Sequence, residues 1–279
     1  SAKESFTEDI ECGFQALHID SSIDPHDQSL TIDEALYRCF ELYEHCWAES
    51  QKRGNQVLFE IGTEEQNGST STQEQLTYTL DRVHSFCTKS KIPFPSFVVI
   101  QCGTKVMEMN NVGSFESPVR IANELPAEIQ LPKMLEICKN YNILMKEHNA
   151  DYLSNDAISW HPRLGIPAAN VAPEFGVSES KSLLSILRYH RLNHYADRFL
   201  QLAYDSHKWR KWLLPYSTST TEEKALMAGH YIFSNPSFLQ LKEEIICDLQ
   251  SKDIDLDLHL KNSVKASILR YAQGFGLVK

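Results

Sequence analysis

The sequence predicts an α/β protein built on a parallel sheet, either a (β/α) barrel or a doubly wound sheet. Three observations predict it: short apolar runs have the composition of strands, helical patterns separate them, and polar residues follow each run. The stretch 142–176 shows this rhythm best, because a strand, a short helix and a second strand follow one another within it. In such sheets, functional side chains gather at the carboxyl ends of the strands.

The predicted strands are short, and the third is a nearly continuous apolar run of the kind that is buried on both faces. They are Ala16–Asp20, Val57–Ile61, Phe97–Cys102, Ile143–Met145 and Ile166–Val171. Capping boxes mark two of the helices between them, because Thr31 precedes Glu34, and Thr72 precedes Gln75, at the required spacing. Beyond the fifth strand the chain shows no further strand pattern and predicts helices.

The number of strands decides the architecture that we expect. A barrel uses roughly 30 residues for each of its eight βα units, whereas this sequence opens on a helix and supplies five strands. We therefore expect a (β/α)8 TIM barrel that lacks its first three or so βα units, which a missing segment would supply. The predicted domains are residues 1–180, carrying barrel strands four to eight, and residues 181–279, a helical extension packed on the barrel.

Composition disfavours several classes of function. The formal net charge of −10 argues against a nucleic-acid or anionic membrane surface, because either needs a basic face. No apolar run approaches the roughly 18 residues of a membrane span, and no signal-peptide pattern is present. The seven cysteines form no C-x-x-C pair, which favours reduced thiols in a cytoplasmic protein over disulfides or a thiolate metal site.

Motifs spread over nearly all of the chain resemble one family. They are LHIDSS at Leu17–Ser22, IGTE at Ile61–Glu64, the strand end Gln101–Gly103, EHNADY at Glu147–Tyr152, APEFG at 172–176, and KWLLPY at Lys211–Tyr216. With these motifs in order, the chain resembles the non-catalytic subunit of class II D-tagatose-1,6-bisphosphate aldolase, the GatZ/KbaZ type formerly called tagatose-6-phosphate kinase. The resemblance implies a TIM barrel with a helical C-terminal extension and a longer N-terminal region than this sequence has.

Two functions follow from this resemblance. The first is an accessory subunit that binds a sugar phosphate and supports a zinc-dependent catalytic aldolase subunit in galactitol or N-acetylgalactosamine breakdown, within an oligomer. The second is a metal-dependent ketose-phosphate 4-epimerase or aldolase acting on its own. The lack of a histidine at Gly103–Val106, where a metal ligand is expected, favours the first function, and acids at strand ends favour the second. No phosphate-cradling Gly-rich loop supports a sugar kinase.

The candidate catalytic residues are Asp20, Glu64 and His148. His148 stands where class II aldolases carry a metal histidine after the seventh strand, so the resemblance implies His148 as a ligand of zinc or another divalent metal. Glu64 and Glu60 are further candidate ligands because they lie at a strand end, and Glu64 also matches the family's pattern. From the residues alone, the acids Asp20, Glu60 and Glu64 can serve as metal ligands or as general acid and base. One of the three is expected to be a loop acid paired with an arginine. His148 and Asp151 can instead be a loop histidine and a local helix cap.

The candidate substrate-binding residues also lie at strand ends. They are Gln101, Lys105, Lys146, Asn170, Gly176 and Ser178. Lys105 and Lys146 can supply positive charge for a sugar phosphate, and a Schiff base is the rarer alternative. Gly176 and Ser178 open the helix after the last strand, where backbone N–H groups hold phosphate in barrels. Asn170 can reach a substrate hydroxyl or satisfy neighbouring backbone.

Overall fold

A computed structural model of the chain describes residues 2–22, 30–62, 72–115 and 126–279. Strands and helices alternate up to residue 169, and helices alone follow. The strands are β1 (Ala16–Asp20), β2 (Leu58–Gly62), β3 (Phe97–Ile100), β4 (Val106–Met107), β5 (Asn110–Asn111), β6 (Leu144–Glu147) and β7 (Ala168–Ala169). The helices are α1 (Ala2–Glu11), α2 (Ile32–Arg53), α3 (Gln73–Ser90), α4 (Ala127–Asn140), α5 (Asn155–Leu164), α6 (Pro173–Tyr189), α7 (Asn193–Asp205), α8 (Thr221–Ala228), α9 (Pro236–Gln250) and α10 (Leu256–Gly274). Short 3₁₀ helices lie at Arg210–Trp212 and Gly229–Ile232.

The described strands form one five-stranded parallel sheet in the order β1-β2-β3-β6-β7, and a separate antiparallel hairpin of β4 and β5. The predicted α/β class with a mostly parallel sheet is therefore confirmed. The order follows the chain without reversing, unlike the order of a doubly wound sheet. Strands β1 and β7 lie at the two margins, so the described strands do not close into a barrel.

The two faces of the parallel sheet carry different side chains, because successive residues of a strand point to opposite faces. One face is buried and apolar, and α2 packs on it through the rings of Tyr43 and Phe59, whose centroids lie 4.3 Å apart. The other face carries His18, Glu60 and Lys146. Nearer the amino ends of the strands, this polar face also carries Leu58 and Leu144, which are 53% and 49% exposed.

Strand β7 is shorter than the sequence predicts. The apolar run Ile166–Val171 contributes only Ala168 and Ala169 to the sheet, since Pro167 has no N–H to donate to a neighbouring strand. After the strand, the Asn170 carbonyl accepts a hydrogen bond from the Ala150 N–H at 2.9 Å. The predicted substrate-binding residue Asn170 thus lies just past the strand, half-buried, with its backbone bonded to a loop.

The described residues divide into two compact units that interleave along the chain. Unit 1 draws on Ser1–Lys105, Pro118–His148 and Pro162–Ala169, and it contains the parallel sheet. Unit 2 draws on Val106–Ser117, Asn149–His161 and Asn170–Lys279, and it contains the hairpin and helices α6 to α10. Segments 106–115, 149–161 and 170–180, which the sequence assigns to the barrel domain, therefore group with the C-terminal helices.

Local signals in the sequence fix several helix starts. Thr31 with Glu34, and Thr72 with Gln75, form the predicted capping boxes of α2 and α3. In unit 2, α6 packs against α10, and α7 packs against α8 around the fully buried ring of Phe199. None of the helices in the described ranges combines the length and the apolar character that crossing a bilayer requires.

Candidate functional site

The polar face of the parallel sheet carries a group of paired charges, here called the sheet-face triad: His18, Glu60 and Lys146. One carboxylate oxygen, Glu60 Oε1, accepts hydrogen bonds from His18 Nδ1 at 2.7 Å and from Lys146 Nζ at 2.7 Å. The strand register explains why these three side chains are in contact. His18 pairs directly with Glu60 across β1 and β2, and the Lys146 side chain extends over β3 from β6. Two of the predicted residues, Glu60 and Lys146, are thus brought together.

Hydrogen bonds keep the Glu60 carboxylate ionised although it is only 8% exposed. Burial raises its pKa, but the bonds from His18 and Lys146 outweigh burial and leave the pKa below the ordinary value of a glutamate. The carboxylate therefore holds a lasting negative charge between two nitrogen donors. Its partner His18 has a side chain that is 41% exposed, so the triad is open to solvent on that side.

Gly62 leaves room for the His18 ring. A Cβ atom at Gly62 would lie 2.9 Å from His18 Cε1 and 3.3 Å from His18 Nε2, so the imidazole occupies space that any other residue would fill. With Nδ1 bonded to Glu60, Nε2 is the ring atom left for a ligand or for proton transfer. His18 was not among the predicted site residues. His18 lies two residues before Asp20 and therefore on the same face of β1, and it pairs with Glu60 of β2. These two relations are the signal that identifies it.

Replacing Glu60 with glutamine tests the charge of the triad. We expect the free energy of unfolding at pH 7 to fall by about 1–2 kcal/mol, because Lys146 and His18 lose their charged partner. A lowered carboxyl pKa stabilises the fold above its unfolded value of 4.5, and this stabilisation is lost as the pH falls through the folded pKa. Urea titrations should therefore show a smaller difference at pH 3. Glu41→Gln, which removes the exposed pair with Lys3, is the control and should change little.

The predicted catalytic residues lie in different surroundings. The Asp20 carboxylate accepts a hydrogen bond from the Ser22 N–H at 2.9 Å and so closes the turn after β1. The His148 N–H extends the β3–β6 pairing by donating to the Ile100 carbonyl at 2.9 Å. Glu64 lies outside the described residues. The catalytic roles of all three stay predictions.

The metal ligands predicted for this edge of the sheet fit poorly among the residues described. Glu60 already binds an ammonium and an imidazole, and a divalent cation would have to displace Lys146 to use the same oxygen. Within 2–22, 30–62, 72–115 and 126–279, no three His, Cys, Asp or Glu side chains group closely enough to hold a metal. The zinc site stays a prediction, and Glu64, one of its candidate ligands, lies outside the described residues.

A buried carboxylate on the opposite face shapes the loop after β3. Glu147 is fully buried, and its Oε1 accepts hydrogen bonds from the Cys102 N–H at 2.9 Å and the Thr104 hydroxyl at 2.7 Å. These bonds tie the end of β6 to the loop that carries Gln101, which is buried, and Lys105, which is half-buried. Glu147 was not predicted as a site residue. It helps to position Gln101 and Lys105, which were predicted as substrate-binding residues.

Unit 2 contains a second buried acid, at the start of α6. Asp151 is 1% exposed, and its Oδ1 accepts hydrogen bonds from the Ala172 N–H at 2.9 Å and the Glu174 N–H at 2.8 Å. Burial raises its pKa to about 6, even though these N–H bonds act to lower it. Asp151 therefore caps a helix distant in sequence rather than a local one.

Gly176 and Ser178, the predicted phosphate-binding residues, lie inside α6 rather than at its start. The helix begins at Pro173, and its first N–H groups already face the Asp151 carboxylate. A Cβ atom on Gly176 would lie 2.5 Å from the His230 Cβ, so the helix and the 3₁₀ helix touch here. The Ser178 hydroxyl accepts a hydrogen bond from the Ser267 hydroxyl at 3.0 Å, in the α6–α10 contact. Both residues serve packing, and ligand binding by them stays a prediction.

Comparisons with known proteins identify solved structures of similar fold. No protein-family model and no curated protein matches the sequence. The crystal structure of a probable tagatose 6 phosphate kinase from Sinorhizobium meliloti 1021 matches with a TM-score of 0.71 at 15% identity, over 98% of this chain and 76% of that chain. Native fructuronate-tagaturonate epimerase UxaE from Cohnella laeviribosi matches with a TM-score of 0.53 at 13% identity, over 98% of this chain and 66% of that chain.

A glycerol complex of the same epimerase matches with a TM-score of 0.51 at 12% identity, over 98% of this chain and 57% of that chain. The chain thus spans about three quarters of the first structure and less than two thirds of the epimerase. At these identities the likeness concerns the fold, and it says nothing of activity. At the level of the fold, the resemblance to the GatZ/KbaZ type is confirmed, and this chain shares its α/β architecture with both proteins.

Proposed function

We propose that this chain is an accessory, non-catalytic barrel subunit that binds a sugar phosphate and supports a zinc-dependent class II tagatose-1,6-bisphosphate aldolase. The observation that carries the proposal is that Glu60 Oε1 already accepts hydrogen bonds from His18 and Lys146. Such a face presents fixed nitrogen donors, which suit the hydroxyl and phosphate oxygens of a sugar. The fold likeness to the probable tagatose 6 phosphate kinase supports the same class of ligand.

We also propose that the parallel sheet is part of a (β/α)8 barrel, with residues 181–279 as its helical extension. A strand order that never reverses supports a barrel over a doubly wound sheet. The polar face, with the exposed Leu58 and Leu144, would be the inner face. About three further βα units, from a segment or chain beyond these residues, would complete it. The proposed partners are the catalytic aldolase subunit and further copies within an oligomer.

Addition of the purified chain to a catalytic aldolase subunit tests the accessory role. We expect the chain alone to cleave no tagatose 1,6-bisphosphate, and we expect it to raise the turnover or the half-life of the catalytic subunit several-fold. A coupled assay of triose phosphate release measures both quantities. The matched variant Glu60→Gln should support the catalytic subunit less well. If the unaltered chain changes neither turnover nor half-life, the accessory role is rejected.

The second candidate is an independent metal-dependent ketose-phosphate 4-epimerase or aldolase. The pairing of His18 with Glu60 favours it, since a carboxylate-oriented imidazole is a proton-transfer group. The likeness to the epimerase fold points the same way. This reading requires the chain alone, supplied with zinc or manganese, to interconvert tagatose and fructose phosphates. It also requires one tightly bound metal per chain that is lost in His148→Ala.

A further inference from the structure

Segments distant in sequence meet in unit 2 around the 3₁₀ helix Gly229–Ile232. The Glu108 N–H, in the turn between β4 and β5, donates to the Trp212 carbonyl at 2.6 Å. The Trp212 Nε1–H donates to the Tyr231 hydroxyl at 3.2 Å, and the rings of His230 and Tyr231 have centroids 4.0 Å apart. The hairpin, the KWLLPY segment and the 3₁₀ helix therefore form one connected neighbourhood.

The EHNADY and APEFG segments join the same neighbourhood through α6. The Tyr152 N–H donates to Glu174 in the first turn of α6, and Gly176 in that turn touches His230. Burial, and then the charges of Asp151 and Glu174, raise the pKa of the Tyr152 hydroxyl, and Tyr231 also contributes. Tyr152 is therefore a neutral hydroxyl. Asp151, Glu174 and Tyr231, from three separate parts of the sequence, thus lie close enough to influence this hydroxyl.

Three polar atoms in this neighbourhood are buried and make no hydrogen bond to any described residue: Glu108 Oε1, Tyr152 Oη and His230 Nδ1. A buried polar atom without a partner costs about 1–3 kcal/mol, so each calls for an explanation. Exposed Lys211 places its ammonium 4.9 Å from the Trp212 ring centroid and 5.2 Å from that of Tyr231. We define Glu108, Tyr152, Lys211 and His230 as the tail cluster.

Backbone conformation supplies an independent observation on two of these residues. Glu108 has φ 56° and Tyr152 has φ 59°, in the left-handed region that side-chain-bearing residues seldom adopt. Such a conformation costs about 1–3 kcal/mol and collects at ligand and catalytic sites. The same two residues carry buried oxygens without a partner. A ligand that binds there would supply the missing hydrogen bond.

The chemistry of the tail cluster selects a ligand. Glu108 Oε1 only accepts, the Tyr152 hydroxyl donates and accepts, and His230 is a neutral imidazole, because burial and then the Lys211 charge lower its pKa to about 4. Hydroxyl groups, which donate and accept, match such a mixed set. Lys211 adds one cation. The combination fits a hydroxyl-rich molecule with a single anionic group.

We propose that the tail cluster binds a sugar with one phosphate or carboxylate group, its hydroxyls on Glu108, Tyr152 and His230 and its anionic group on Lys211. The inference rests on the proposed function for the choice of a sugar phosphate, and it adds a second binding site for such a ligand, in unit 2. The aromatic rings of Trp212 and Tyr231 hold the Lys211 ammonium by cation–π contact. The helical tail thereby gains a binding role beyond packing.

Calorimetric titration of the full chain with tagatose 6-phosphate, glucuronate, fructose and inorganic phosphate tests the proposal. We expect saturable binding of tagatose 6-phosphate or glucuronate, and weaker binding of fructose and phosphate. Tyr152→Phe and Lys211→Met should each weaken binding of the anionic sugar about tenfold, the loss of one hydrogen bond or charge contact. Tyr216→Phe and Lys208→Met, in exposed positions of the neighbouring chain, are matched controls and should bind as the unaltered chain does.

Stability separates a ligand contact from a folding defect. Tyr152→Phe removes an unpartnered hydroxyl, so its Tm without ligand should equal or exceed that of the unaltered chain, while the ligand-induced rise in Tm should shrink. Binding of tagatose 6-phosphate that neither variant weakens would overturn this site and leave the proposed function intact. Binding of glucuronate alone would support the site and reject the sugar-phosphate function. No binding of either sugar would overturn the site, even if the chain supports the aldolase.

Discussion

Replacing Asp151 with alanine should lower the free energy of unfolding by about 2–4 kcal/mol. The carboxylate is 1% exposed and satisfies the N–H groups of Ala172 and Glu174 at the start of α6. Alanine leaves both donors without an acceptor and opens a small cavity, and each unmet donor costs about 1–3 kcal/mol. Urea denaturation followed by far-UV circular dichroism measures the loss. An unchanged midpoint would contradict the capping role of Asp151.

The matched variant Asp151→Asn separates the hydrogen bonds from the charge. Asparagine keeps an acceptor oxygen, so the variant should lose less stability than Asp151→Ala. A carboxyl pKa raised from 3.8 to about 6 contributes stability that is present below pH 3.8 and is lost as the pH rises through 6. The unaltered chain should therefore gain stability over Asp151→Asn between pH 7 and pH 4. A constant difference across this range would contradict the raised pKa.

Replacing Gly274 with alanine should also destabilise the fold, by about 2–3 kcal/mol, although alanine ordinarily favours a helix by about 1 kcal/mol. A Cβ at this position would lie 2.3 Å from Ile158 Cγ2, and Ile158 is buried. The end of α10 would have to move. That movement strains the bonds from Arg270 to the Leu153 carbonyl at 2.7 Å and from Tyr271 to the Ala150 carbonyl at 3.0 Å.

A double-mutant cycle with Ile158→Ala identifies the clash as the cause. Ile158→Ala alone should cost about 2–4 kcal/mol, through its cavity. Adding Gly274→Ala in that background should cost little or nothing, giving a coupling energy above about 1 kcal/mol. The exposed neighbour Gln273→Ala is the control and should change stability by less than about 0.5 kcal/mol. Additive losses would show that the steric argument is wrong.

Features set by nearby residues were predictable from the sequence. The capping boxes at Thr31 and Thr72 depend on a partner in the next turn, so the sequence contains both halves of each. The parallel strands were predictable because each has its own apolar run. Pro167, which delays the start of β7, is visible in the sequence, but the bond from the Ala150 N–H to the Asn170 carbonyl just after the strand is not.

Features set by distant residues were only partly predictable. Glu60 and Lys146 were found as polar residues at strand ends, but their bond through a single oxygen, and the addition of His18, depend on the register of β1, β2 and β6. A local helix cap was one of the alternatives for Asp151, yet the chain returns at Glu174 to supply the donors. Spacing within one segment cannot reveal such partners.

The marginal strands of the parallel sheet bear on how this chain behaves in solution. Along β1 and β7, among the described strands, backbone groups on the outer side lack a neighbouring strand in the order β1-β2-β3-β6-β7. Strand edges without a neighbouring strand can template the addition of foreign strands and promote aggregation. Recombinant production of these residues alone should therefore yield less well-behaved material than co-expression with a protein that covers both edges.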